Sequence, residues 1–105
     1  MNKPTEAELK ASNATTTSIQ MKAMNGDGVT SAQLVDFATG RASMTYAAIL
    51  NNYESVDAED VTESQKVMLA IAAYFAKSEA AQLEQVAKKA AAVRKMNSKR
   101  IVGLS

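Results

Sequence analysis

The chain has 105 residues, 47% of them hydrophobic and 22% charged, with a formal net charge of +1. That is one domain's worth of sequence and too apolar for a disordered one. It contains no Cys and no His, which excludes disulfides, thiol nucleophiles and the usual ligands of zinc, copper and haem, and removes the commonest general base near neutral pH.

With one Pro, at position 4, and only four Gly, few residues interrupt regular structure, and no window alternates well enough for a strand. The chain therefore reads as a single all-α domain: three shorter helices and one long C-terminal helix, in an extended hairpin or small bundle. Thr5 followed by Glu8 is a capping-box pattern that starts a first helix running toward Met24. Its middle, "SNATTTS" at 12–18, is a poor helix former, because short polar side chains compete for backbone hydrogen bonds. Residues 1–28 are accordingly expected as a frayed helix or a flexible arm. No apolar segment of signal-peptide length opens the chain.

"MNGDGVTSAQL", residues 24–34, has the look of the middle of a calcium loop. In an EF-hand register Asn25, Asp27 and Gly28 take the third, fifth and sixth places, which leaves Ala23 first and Leu34 twelfth. Neither has an oxygen to offer where carboxylates are needed. The stretch reads better as a turn made by Gly26 and Gly28, with Thr30 and Gln33 as the capping box of the next helix. That second helix should stop at Gly40, a natural C-terminal cap, and a third should run from Ala42 to Tyr53 with Met44, Ala47, Ala48 and Leu50 or Asn51 on its apolar face.

"ESVDAEDVTESQ" follows as an acidic connector. Thr62 and Gln65 then suggest another capping box, with Glu63 in the first turn, where a negative charge suits the helix dipole. Nothing breaks the helix from Glu63 to about Asn97, on the order of 50 Å at 1.5 Å per residue. A compact domain of this length spans only roughly 35 Å, so the last helix must project or be covered by other copies. Its first half, "VMLAIAAYFA" at 67–76, is apolar all round, the mark of a helix buried on most sides. Val67, Ile71, Tyr74 and Phe75 are the expected core. In the second half Leu83, Val86, Ala90 and Val93 recur at spacings of three and four, the expected helix–helix seam, which Ala90→Glu should break. Met21, Met24, Met44, Met68 and Met96 are expected to fill gaps between helices.

Charge is polarised. Glu54, Asp57, Glu59, Asp60 and Glu63 crowd the middle, whereas Lys88, Lys89, Arg94, Lys95, Lys99 and Arg100 occupy a tail free of acids. The acids Asp57, Glu59, Asp60 and Glu63 match no cation cage and read as a solvated segment. The pairs Ser64 with Lys66 and Lys77 with Ser78 lack the context that serine–lysine chemistry needs, and no phosphate-binding glycine loop is present. Residues 31–53 have the helix–Gly–helix outline of a DNA-reading motif, with Arg41, Ser43, Thr45 and Asn51 on the second helix. The acids that follow would repel phosphates, so an ordinary helical hairpin is the better reading.

No catalytic site emerges, and no cofactor, metal or small-molecule substrate is expected. The longest apolar run is too short to cross a bilayer, which points to a cytoplasmic protein or a part of an assembled particle. The expectation is a non-enzymatic structural protein that self-associates or packs into a larger assembly. Small, alanine-rich, cysteine-free helical chains of this kind occur in virions and secretion machines. Two other readings stand beside it: nucleic-acid binding through the basic tail, salt-sensitive and without sequence preference, and a helical adaptor or inhibitor of one acidic or other protein partner.

Overall fold

A computed structural model of the chain describes residues 4–51 and 58–104. The fold is all-α, and its elements are three helices rather than four: α1 (Glu6–Asn25), α2 (Ser31–Asn51) and α3 (Ala58–Leu104). Asn52, Tyr53 and the stretch from Glu54 to Asp57 lie outside the described residues.

Local chemistry sets the first two helix starts. The Thr5 hydroxyl accepts the Glu8 N–H at 3.1 Å. At α2, Thr30 N–H donates to Gln33 Oε1 at 2.9 Å and Gln33 N–H to Thr30 Oγ1 at 3.1 Å, a complete capping box. Between the helices Gly26 is left-handed at φ 77° and Gly28 at φ 85°. The Gly26 N–H closes on Ala23 O, and that of Asp27 on Lys22 O, which ends α1 by satisfying its last carbonyls. "NGDG" is the turn between α1 and α2.

α1 is continuous through "SNATTTS". Thr16 is buried, and its hydroxyl donates back to Asn13 O at 3.1 Å, so the competing side chain is absorbed within the helix.

Gly40 does not end a helix. The two helices expected on either side of it are one, α2, and Gly40 is buried within it. A Cβ there would lie 2.6 Å from Thr16 Cγ2 and 3.3 Å from Ser12 O. Gly40 is thus a point where α1 and α2 approach closely, and the absence of a turn removes both the helical-hairpin and the DNA-reading outline of 31–53. Adding a methyl at Gly40 raises helix propensity by up to about 1 kcal/mol but collides with Thr16. Gly40→Ala should therefore fail to stabilise the natural chain, and should stabilise a Thr16→Ser chain by about 0.5–1 kcal/mol. Equal urea-midpoint shifts in both backgrounds would show that the helices do not meet there.

The long helix starts earlier and ends later than its sequence suggests. It begins at Ala58, so Thr62 stands inside it rather than at its start. The supposed connector holds no Gly or Pro, and acidic residues are favoured in a first turn. At the other end "RIVGL" continues the helix to Leu104. At 47 residues α3 is about 70 Å long, matching the 69 Å long axis of the molecule. The radius of gyration is 18.1 Å, against about 13 Å for a compact chain of this size.

α1 and α2, about 30 Å each, form an antiparallel pair lying on the middle of α3. Val29, ahead of α2, packs by Ala87, and Arg41 in mid-α2 meets Glu79; α2 therefore runs opposite to α3, and makes the most extensive contact with it. One core cluster joins Ile19 and Ala23 of α1, Phe37 of α2, and Leu83 and Ala87 of α3, with Val29, Leu34 and Ala80 at its edge. Toward the other end Tyr46, Ala47, Ala72 and Ala76 are buried. Tyr46 is only 2% exposed and its hydroxyl has no hydrogen-bond partner. An orphaned buried hydroxyl costs roughly 1–3 kcal/mol, so Tyr46→Phe should raise the unfolding free energy by about 1 kcal/mol, read as a higher urea midpoint. A loss of stability would mean the hydroxyl is satisfied.

Candidate functional site

The inner face of α3 is made of small residues. Ala72, Ala76, Leu83 and Ala87 are buried, and at 100° per residue they fall within an arc of about 60°. Alanines allow α2 to come close, and the bulk of the core is supplied from the other side by Phe37 and Tyr46. The expected core of α3 is corrected accordingly. Val67, Ile71, Tyr74 and Phe75 are exposed, Tyr74 to 73% and Phe75 to 53%. A segment apolar all round has two candidate faces, and the bulky one points away from the bundle.

That outward face is the most distinctive surface of the molecule. Val67, Ile71, Tyr74, Phe75, Val86, Val93 and Met96 are all exposed, and helical geometry places them within one stripe about 120° wide. Tyr74 and Phe75 pack edge to face, ring centroids 5.7 Å apart at 78°. Ser78, Gln82, Gln85 and Lys89 are also exposed and continue the stripe through its middle. Apolar residues thus cluster at both ends of a stripe with a polar centre.

The predicted seam is divided between two faces. Leu83 belongs to the internal core. Val86 and Val93 lie on the outer stripe. Ala90 is half-buried beneath the α1–α2 turn, where a Cβ on Gly26 would come 2.9 Å from Ala90 O. The signal for the inner face was present in the sequence as Ala72, Ala76, Ala80, Leu83 and Ala87, spaced by four, four, three and four, but small residues carry little weight beside Ile, Tyr and Phe. Met21, Met24 and Met96 are exposed rather than filling gaps between helices, and Met44 and Met68 are half-buried.

The charged candidates are dispersed. Arg94 of α3 pairs with Asp27, the acid of the "NGDG" turn. Lys88 pairs with Glu84 at 3.5 Å along its own helix, while Lys89 and Lys95 are exposed. The side chains of Ser64, Glu59, Asp60, Lys99 and Arg100 lie outside the described residues. Glu63 is exposed and meets Lys66 at 3.5 Å, and Lys77 and Ser78 are exposed neighbours. Arg41 forms a part-buried pair with Glu79. Beside that pair Gln20, Phe37, Gln82, Leu83 and Val86 line an open groove of about 300 Å³. A second groove of about 520 Å³ lies between the start of α1 and the end of α2, with Leu9, Lys10, Asn13 and Met44 among its walls. No helix among the described residues is long and apolar enough to cross a membrane.

The chain matches no family model, no curated protein and no solved structure.

Proposed function

We propose that this chain is a non-enzymatic structural protein that works by packing the outer face of α3 against other helices, in self-association or in a larger assembly such as a virion or a secretion machine. One observation carries the reading: seven large apolar side chains of α3, from Val67 to Met96, stand exposed in a single stripe. Large apolar side chains gathered on one exposed face mark an interaction surface. Here it lies on a helix that outruns the rest of the molecule at both ends, so a flat, extended partner surface can reach its whole length.

The test is the solution mass of the full chain by light scattering, with Ile71→Glu, Phe75→Glu as the variant. Assembly of the natural chain and its loss in a folded variant is the expected result. A natural chain that stays monomeric at all concentrations would overturn self-association.

A second reading, nucleic-acid contact, draws on the basic end of α3, which continues as a helix beyond the α1–α2 turn. It calls for affinity for duplex DNA that falls steeply with salt and is untouched by the Ile71 and Phe75 changes.

A further inference from the structure

We infer that the partner of the α3 stripe is a second copy of this chain, packed antiparallel, with its two-fold axis crossing α3 near residue 80. The inference rests on the assembly reading above and names the occupant. Three features of the stripe lead to it.

The first is periodicity. Positions 67, 71, 74, 78, 82, 85, 89, 93 and 96 step by four, three and four, an eleven-residue pattern. That period lies close to the natural pitch of an α-helix, so the stripe stays nearly straight. Two such helices can lie side by side along most of their length.

The second is charge. Glu63 marks the acidic end and Lys88 and Lys95 the basic end, with Lys77 between them, and all four fall along one edge of the stripe by helical spacing. In an antiparallel pair like edges meet, so Glu63 of one copy faces the partner's Lys95, and the interaction occurs twice. Charges flanking a helix seam decide orientation in this way. A parallel pair would put acidic end on acidic end and basic end on basic end.

The third is the level at which these positions fall and the area they present. About the proposed axis Val67 comes level with the partner's Val93, Tyr74 with the partner's Val86 and Ser78 with the partner's Gln82, while Ile71 and Phe75 come level with the partner's Lys89 and the partner's Gln85. The polar centres coincide, and the methylene stem of Lys89 covers the partner's Ile71. Polar residues in a seam specify register. The seven exposed apolar residues present on the order of 700 Å² per chain, close to the roughly 800 Å² per partner of a stable interface; the flanking polar residues supply the remainder.

Because the chain has no Cys, introduced thiols are unique. Val67→Cys and Val93→Cys are each made in the full chain, and a short bismaleimide is applied to each alone and to an equimolar mixture. The expected result is a covalent dimer that forms at least tenfold faster in the mixture than in either variant alone. Equal self-crosslinking of each variant, or a large polymer without the mixed product, would overturn the antiparallel pair and leave the assembly reading standing. A natural chain that is monomeric throughout would overturn the antiparallel pair and self-association together. Charge exchange gives a second measure at two exposed positions, of which Glu63 meets Lys66 on its own helix. Glu63→Lys and Lys95→Glu should each raise the dimer Kd roughly three- to tenfold, and the double exchange should restore it. Failure of the double variant to recover would also overturn the proposed pairing.

Discussion

Replacing Gly26 with alanine should lower the unfolding free energy by about 3 kcal/mol, whereas the same change at Gly28 should cost only about 1. Both residues have positive φ, 77° and 85°, so both variants suffer the strain of a left-handed L-residue. They differ in what the new methyl meets. At Gly28 nothing lies within 4 Å; at Gly26 the methyl would stand 2.9 Å from Ala90 O and 3.1 Å from Ala90 C. Those are backbone atoms of α3, and no rotamer change moves them aside. The chain has only about 5–15 kcal/mol in hand if it is an ordinary domain, so the Gly26 variant should be visibly less stable in urea. Equal losses at the two positions would mean that the α1–α2 turn does not rest on α3. That contact sets where the α1–α2 pair sits along the long helix, and hence which face of α3 is left open. The exposed Arg94–Asp27 pair beside it contributes little by comparison, since such pairs are worth about 0–1 kcal/mol.

The second large effect is on assembly. Ile71→Glu combined with Phe75→Glu should raise the dissociation constant by at least about a hundredfold, since it takes two apolar side chains out of the seam and places charge there. The isolated fold should change by less than about 1 kcal/mol, because both side chains are already substantially exposed, Ile71 to 43% and Phe75 to 53%. Light scattering reads the first quantity and urea unfolding the second. An unchanged particle mass would remove the stripe from the interface. Leu83→Ala is the contrast: Leu83 is buried in the internal cluster, and the change should cost about 2–5 kcal/mol of stability. Ala90→Glu, the substitution that sequence periodicity recommends, cannot separate the two effects. Ala90 underlies the Gly26 turn, so a charge there would disturb the fold and the assembly together.

These contrasts divide what is local from what is not. The helical class, the starts at Thr5 and Thr30, the turn at Gly26–Gly28 and the excessive length of the last helix were all legible in the sequence. Each depends on a side chain reaching a backbone group three residues away, or on the absence of Gly and Pro. The polarity of charge along α3 was equally legible, being a matter of order in the chain. Gly40 was misread because a glycine that ends a helix and a glycine that lets two helices touch look alike; only the position of Thr16 across the interface distinguishes them. The start of α3 was misplaced because Thr62 and Gln65 carry a capping pattern that a continuing helix ignores.

By itself, then, the sequence determined an all-α chain with a long, charge-polarised final helix. Tertiary structure decided which side of that helix faces inward. Size argues for burying Val67, Ile71, Tyr74 and Phe75, and a single helix offers no reason to do otherwise. Close approach of α2, whose Phe37 and Tyr46 already fill the interior, sets mostly small residues beneath it, Ala72, Ala76 and Ala87, with Leu83 among them. The bulky residues are turned outward, and the surface on which the proposed function rests follows from that packing.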